Sequence, residues 1–388
     1  MLYVIPDYYK EFKCVADKCE DTCCAGWQIV IDEKSLRKYK KVCGEAILPR
    51  EKKKVPCEPS FALRMLGSVD WKDGTFRQAE EKRCTFLNDE NLCDLYTNLG
   101  EKSLCKTCRL YPRHIEEFEG LREVSLSISC PEVARILMER MEPVTFLSYE
   151  KEGEEEFEDF DPFLFSILED ARRVMIEILQ NRKLSIQERG ILVLGMAHDM
   201  QVRINRQEMF DCTSVIEKAG TEKSLRQVQA YMGKHESSKK FSLVKNLFLK
   251  LYELELLRKE WDVLLQETEV LLYGRDEEYY AKISQEFATW KKEHAKVDIH
   301  MEQLLVYFLF TYFPGAVYDG EVYAKAQMSV YCVWMIEELW KARWLLNGKM
   351  LSKEEMTELV YRFSREVEHS DVNLKIVESF MEKKWFLC

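Results

Sequence analysis

The chain has 388 residues, 46% of them apolar and 32% charged, a folded composition that excludes intrinsic disorder. Its length exceeds one typical core and suits two domains. The net charge of −11 argues against a free-standing nucleic-acid binder, which would be basic, and suits a lysine-bearing partner.

The N-terminus, Met1-Leu-Tyr-Val-Ile-Pro6, carries no charged segment followed by a long apolar run, so no signal peptide is expected. Trp27–Ile31 is a short β-prone run, and Asp32 is placed to cap a helix over Glu33–Val42. Phe61–Met65 and Thr75–Gln78 are expected to pair across the Asp73–Gly74 turn. Cys84–Cys93 reads as a hairpin, Val124–Ser129 alternates like a strand, and Pro131 opens a helix to about Met141. Glu150–Asp161 is strongly acidic and reads as a solvated linker or loop.

Beyond Pro162 the pattern is almost all helix. Ser185-x-x-Glu188 and Ser352-x-x-Glu355 are capping boxes, and Leu243, Leu247, Leu251 and Leu254 make one apolar face. Helices are predicted over Phe163–Asn181, Ser185–Glu208, Ser242–Leu272, Arg275–Lys296, Met301–Phe313, Tyr323–Leu346 and Lys353–Glu366. Leu304–Phe313 is the most apolar segment, but it is about half a membrane span and stops at Pro314–Gly315, so a core helix is expected and no membrane partner. The expected fold class is α+β, mostly α: a cysteine-rich mixed α/β metal-binding unit over 1–142, an acidic linker over 143–162 and an all-α domain over 163–388.

Cysteine placement is the strongest signal. Eleven of the fourteen cysteines precede residue 131. With a cytoplasmic, reducing location as the expectation, clustered thiols point to metal rather than disulfides. The pattern is Cys14-x4-Cys19-x3-Cys23-Cys24, a gap of 59 residues, then Cys84-x8-Cys93-x11-Cys105-x2-Cys108-x21-Cys130. Thiolates bind zinc or the irons of a cluster, and two to four intervening residues let a short loop aim two sulfurs at one centre. Adjacent Cys23 and Cys24 diverge too much for one tetrahedral ion and suit a polynuclear cluster or two neighbouring centres. Nine thiols exceed what one four-iron cluster or one zinc needs. Cys43 and Cys57 stand outside the pattern. Cys212, Cys332 and Cys388 read as core or terminal thiols, and His114 more readily as a structural or surface residue than as a ligand.

As a set, several motifs resemble the flagellin lysine N-methylase family. They are Pro6-Asp-Tyr-Tyr-Lys-Glu-Phe-Lys-Cys14, Cys19-Glu-Asp-Thr-Cys-Cys24, Gly26-Trp27 with Ile31-Asp32, Leu104-Cys-Lys-Thr-Cys-Arg-Leu-Tyr-Pro-Arg113 and Ser127-Ile-Ser-Cys-Pro131. The cysteines also resemble a wider group of zinc- or iron-chelating domains with a CxxCxxCC core, here in a looser form. These motifs cover about the first third of the chain. The resemblance implies methyl transfer from S-adenosylmethionine to lysines of flagellin in the cytoplasm. It also favours an iron–sulfur cluster, one or two [4Fe–4S] centres, over zinc at Cys14, Cys19, Cys23, Cys24, Cys84, Cys93, Cys105, Cys108 and Cys130.

The residues constrain how that chemistry would run. No glycine-rich G-x-G-x-x-G loop follows a strand, which argues against an ordinary doubly wound methyltransferase. Cys19-x3-Cys23 begins like a radical-type spacing, but Gly26 stands where its third cysteine belongs. A cluster held by three cysteines leaves one iron open to the amino and carboxylate groups of S-adenosylmethionine, with Arg109 or Arg113 as a clamp for the carboxylate and Tyr111 as a group to position or deprotonate the lysine. The plainer readings are surface or cluster-shell charge for the arginines and a packed ring for Tyr111. The basic stretch Lys34–Lys54 reads as a solvated face. The competing function is non-enzymatic: a metal-stabilised redox or protein-binding module whose centre supplies folding free energy.

Overall fold

The structure, a computed structural model, describes residues 1–47, 59–153, 157–234, 238–294 and 296–382. Its strands are β1 (Leu2–Pro6), β2 (Val69–Asp70), β3 (Thr75–Phe76), β4 (Arg113–Phe118), β5 (Leu121–Leu126) and β6 (Phe146–Glu150). The chain divides into two compact units, one of Met1–Glu11, Ile115–Ser125 and Ala134–Cys388, the other of Phe12–His114 and Leu126–Val133.

This division departs from the expected 1–142 boundary, and strand pairing is the reason. β1 runs parallel to β5, with Leu2 opposite Leu121, and antiparallel to β6, with Tyr3 opposite Tyr149. The first residues are thereby held in a four-stranded sheet of order β4-β5-β1-β6, whose β1, β6 and most of β5 belong to the helical unit. The expected linker is in part strand: β6 occupies Phe146–Glu150 inside it. The helical domain is therefore not all-α, although the chain as a whole is mostly helix.

In the helical unit the Val322–Leu346 helix has apolar residues all round and no single polar face. It is buried along nearly its whole length, as a helix without a polar face must be. Packed around it are the Ile186–Asn205, Lys259–Tyr273, Lys296–Tyr312 and Asp371–Met381 helices. Leu304–Phe313 lies within buried helix as expected, and no helix among the described residues is long and apolar enough to cross a membrane. Both capping boxes form. Ser185 Oγ accepts from the Glu188 amide at 3.3 Å, and the Glu188 carboxylate accepts from the Ser185 amide at 2.8 Å. Ser185→Ala removes one of these and is expected to cost about 1 kcal/mol in urea unfolding.

Charged side chains also enter this core, each with partners. Glu302 is fully buried and accepts from Arg182 and from Arg189, the latter at 2.8 Å. Glu338 accepts from Tyr273 Oη at 2.8 Å, Tyr280 Oη at 3.0 Å and Lys341 Nζ at 2.6 Å. His300 is 4% exposed. Burial, with Lys353 and Lys296 nearby, lowers its pKa from 6.5 to about 4. The native state thus keeps His300 neutral while the unfolded chain takes a proton below about pH 6.5. Its contribution is complete above that pH and is lost as pH falls towards 4, by about 3 kcal/mol in full. His300→Leu should flatten this part of the stability–pH curve relative to the parent.

The second unit packs the Glu33–Ile47 helix against the Pro59–Ser68 helix. Its core includes Ile29, Ile31, Tyr39, Phe61, Met65, Phe76 and Phe86. Asp32 caps the first helix as predicted, its Oδ1 accepting from the Ser35 amide at 3.0 Å. The predicted pairing of Phe61–Met65 with Thr75–Gln78 is wrong in its first half: those residues are helical, and the strand opposite β3 is β2. Trp27–Ile31 forms no named strand among the described residues; an isolated bridge pairs Val30 with Thr75, and the Ile31 amide donates to the Gly74 carbonyl at 2.7 Å. Residues 48–54 of the basic stretch, and Cys57, lie outside the described residues.

Candidate metal centre

Two short sequence features aim the thiols. Cys105 and Cys108 flank and enter the Lys106–Leu110 helix, so one turn brings both sulfurs to the same side. That turn is tied to the Val30–Asp32 segment. The Lys106 amide donates to Asp32 Oδ2 at 2.7 Å, and Thr107 Oγ1 donates to the Val30 carbonyl at 2.8 Å. Asp32 thus serves two amides, one in each segment. Burial works to raise its pKa, but the bonds from Lys106 and Ser35 outweigh it and lower the pKa.

The Cys23–Cys24 turn is held by the Gly-Trp pair that follows it. Trp27 Nε1 donates to the Cys23 carbonyl at 2.7 Å, and Gln78 Nε2 donates to the Trp27 carbonyl at 2.7 Å. Gly26 has φ +93, a backbone region that favours glycine. The Cys84 amide donates to the Cys24 carbonyl at 2.7 Å, which brings together cysteines far apart in sequence. Leu87 bridges Cys93 in the expected hairpin, so its end also turns towards this core.

Five thiols meet at the second unit's core. Cys84 and Cys105 are members of it, and Cys24, Cys93 and Cys108 pack against it. They also feel one another electrostatically. Burial pushes Cys84 up to about 12, and the charges of Cys24, Cys93 and Cys105 add to the rise. Burial pushes Cys93 up to about 11, with Cys24 contributing. In the Cys105–Cys108 pair, the Cys108 thiol donates to Cys105, so the Cys105 pKa falls and the Cys108 pKa rises. Cys24 is lowered to about 7. The hydrogen bond from Cys23 is the main cause, opposed by burial and helped by Thr22 and by the Arg83 charge. Arg83 was not singled out in the sequence, where it reads as one more surface charge beside Cys84.

Of the remaining candidates, Cys23 meets the group through its hydrogen bond to Cys24, and Cys14, Cys19 and Cys130 are not members of this core. Cys14 is exposed, and Cys19 Sγ donates to the Asp21 carbonyl at 3.2 Å. Cys130 is buried but is not a member of this core. Cys43 Sγ donates to the Ala62 carbonyl at 3.5 Å, the packed thiol its position outside the pattern suggested. Cys212 and Cys332 are buried thiols, as expected, and Cys388 lies outside the described residues. Tyr111 Oη lies 3.1 Å from Ser129 Oγ, and its ring lies against Trp27 at 5.9 Å. Arg113 rests over the Phe12 ring, Arg109 is exposed, and His114 is partly buried in β4.

As a donor set, the five thiols fit a soft metal in kind. They do not close around one: among the described residues no three His, Cys, Asp or Glu side chains are gathered into a group able to hold a metal ion.

Residues 172–387 match the family model for the FliB lysine N-methylase C-terminal domain. Among curated proteins, the chain is similar to a lysine-N-methylase of Salmonella choleraesuis, 30% identical over 34% of this chain and 31% of that protein. It is also similar to the lysine-N-methylase of Salmonella typhimurium, 29% identical over 34% of this chain and 31% of that protein. A third relative is the flagellar biosynthetic protein FliU of Salmonella muenchen, 29% identical over 34% of this chain and 75% of that protein. The chain thus spans less than a third of the two lysine-N-methylases it matches. No solved structure matches it. Because the family model takes in more than half of its residues, the chain belongs to the FliB lysine N-methylase family.

Proposed function

We propose that the protein is an S-adenosylmethionine-dependent protein-lysine N-methyltransferase acting on flagellin, with an iron–sulfur cluster held by the second unit's cysteines. The observation that carries this reading is the family match over 172–387. It is supported by relatives named as lysine-N-methylases and as a flagellar biosynthetic protein. The five thiols support the cluster only in kind: they are soft donors of the sort it takes, not gathered, among the described residues, into one ligand group.

In the proposed reaction the lysine amine, once deprotonated, attacks the methyl carbon with its lone pair. The carbon–sulfur bond breaks, and S-adenosylhomocysteine leaves with that electron pair. Cys24, Cys84, Cys93, Cys105 and Cys108 are the proposed ligands, and Cys14, Cys19, Cys23 and Cys130 suffice in number for a second centre. A cluster held by three or four of these thiolates would supply Lewis acidity towards the amino-acid end of S-adenosylmethionine. Arg109, exposed one residue after Cys108, is the better placed of the two arginines to take that carboxylate, because Arg113 is engaged with Phe12. Tyr111 has its hydroxyl beside Ser129 and is assigned to positioning rather than proton removal.

One observation favours a second reading, a metal-stabilised binding module: Cys84 and Cys105 are themselves core residues. The test is methyl transfer from labelled S-adenosylmethionine to purified flagellin, with binding of S-adenosylmethionine measured alongside. Label on flagellin lysines is expected. A chain that binds no S-adenosylmethionine would leave the module reading standing.

A further inference from the structure

The acidic stretch Glu150–Asp161 contains two phenylalanines, Phe157 and Phe160, that a solvated linker has no use for. They join an aromatic cluster. Phe160 meets Phe118, at the end of β4, edge to face with ring centroids 5.9 Å apart, and stands at 90° to the Tyr318 ring at 6.3 Å. Phe157 lies against Phe160 at 5.9 Å. Phe165, in the Pro162–Leu179 helix, packs on Phe118 at 4.5 Å and on Phe160 at 5.2 Å. All five rings belong to one compact unit.

The cluster is closed beneath and open above. Phe118 and Phe165 are buried, whereas Phe157 and Tyr318 are each 41% exposed and Phe160 is partly exposed. Aromatic faces carry the negative side of a quadrupole, so open rings attract a cation that can shed its water.

Carboxylates stand at the same place. Glu116 is two residues before Phe118 in β4 and so projects to the same face of the strand. Glu158, exposed, directly follows Phe157. Burial raises the Tyr318 pKa, and the charges of Glu116 and Glu158 add to the rise; among the described residues no basic side chain opposes them. Arginines of the same unit are engaged with other groups. Arg122 pairs with Glu117 at 2.7 Å and lies over Tyr3, and Arg172 pairs with Glu123 and lies over Phe310.

Rings and acids together select one kind of cation. An unmodified lysine ammonium is compact and strongly hydrated, and an apolar surface strips that water at a cost. Methyl groups on the nitrogen replace N–H donors, lower the cost and keep the positive charge. We infer that Phe157, Phe160 and Tyr318, with Glu116 and Glu158 at their margin, form a binding site for a methylated lysine side chain of a protein. The N-methyl groups rest against the rings, and the two carboxylates meet the charge. The inference rests on the methylase reading only for the origin of that side chain: the site holds the product of an earlier transfer and keeps the same protein substrate at hand for the next.

The test uses the full chain without S-adenosylmethionine, titrated by calorimetry with three peptides. They share neutral Gly-Ser flanks and differ at one position, which is trimethyl-lysine, lysine, or the neutral analogue with carbon in place of the trimethylated nitrogen. Saturable binding of the first is expected. The neutral analogue should bind about fivefold more weakly or worse, as loss of cation–π attraction at partly open rings requires, and lysine should also bind more weakly. Phe157→Ala and Glu158→Gln change exposed residues, and each should weaken trimethyl-lysine binding with the unfolding transition unchanged. Equal binding of the neutral analogue would overturn recognition of charge, and equal binding of lysine would overturn recognition of the methyl groups. Binding unaltered in both variants, or no binding at all, would overturn the site. Choline binding as tightly as the trimethyl-lysine peptide would assign the rings to a small quaternary amine and overturn the peptide ligand. Binding of trimethyl-lysine without methyl transfer to flagellin would sink the methylase reading and leave the site intact. Methyl transfer without preference for the methylated peptide would sink the site alone.

Discussion

Glu302→Ala should lower the stability of the helical unit by about 3–5 kcal/mol, read as a shift in the urea midpoint by far-UV circular dichroism. Glu302 has no exposed surface, and both partners reach it from the segment between the Pro162–Leu179 and Ile186–Asn205 helices or its first turns. The two arginines do not suffer equally. Arg182 retains 34% of its side-chain surface in solvent and can rehydrate, whereas Arg189 retains 4%. Arg189 still donates to the Leu179 and Leu184 carbonyls at 2.7 and 3.1 Å, which places the expected loss nearer the lower bound. Most of the penalty is therefore the cost of one buried, uncompensated cation and not the worth of the ion pair. The double variant Glu302→Met with Arg189→Met separates the two, because it removes both charges and keeps volume. It should be markedly more stable than Glu302→Ala. A double variant as unstable as the single would mean that packing, not charge, sets the effect.

How far the fold could be read from sequence depends on where the determining interactions lie. Ser185, Ser352, Asp32 and Pro131 act within one turn, and the helices they start are where the sequence placed them. Ser242–Leu272 was read as one helix and is not. It breaks between Leu249 and Lys259, although Leu254-Glu-Leu-Leu-Arg258 contains neither glycine nor proline. The break is stabilised from outside. The amides of Leu257 and Arg258 donate to the Glu366 carboxylate at 2.9 and 3.0 Å, and the Glu255 amide donates to Asn373 Oδ1 at 2.6 Å. Partners more than a hundred residues away leave no local mark. The same limit applies to the candidate centre. The Cys105–Cys108 turn was legible because its geometry is local. The approach of Cys24 to Cys84 runs through a backbone bond across a 59-residue gap, and Arg83 gains its meaning only there.

If the converging thiols hold a cluster, Cys105→Ser combined with Cys108→Ser should abolish bound iron and acid-labile sulfide, measured per chain on protein purified without oxygen. Methyl transfer should be lost with them. The reason for pairing the changes is physical: one remaining thiolate can still anchor a cluster with its neighbours, whereas two hydroxyls are poor replacements for two soft thiolates. Cys105 has no exposed surface, so its replacement also places a hydroxyl in the core of the second unit; the unfolding transition must therefore be followed in parallel. Cys43→Ser is the matched control, since Cys43 is equally buried in the same core, outside the converging group, and already donates to a carbonyl that serine can serve. It should leave iron content unchanged. Cys14→Ser and Cys19→Ser distinguish one centre from two. With a single centre at the converging thiols both variants keep all their iron, whereas a second centre near the N-terminus predicts loss of about half. Full iron in the paired variant, with the second unit still folded, would reassign Cys105 and Cys108 to packing and leave the sulfur chemistry to the thiols outside this core.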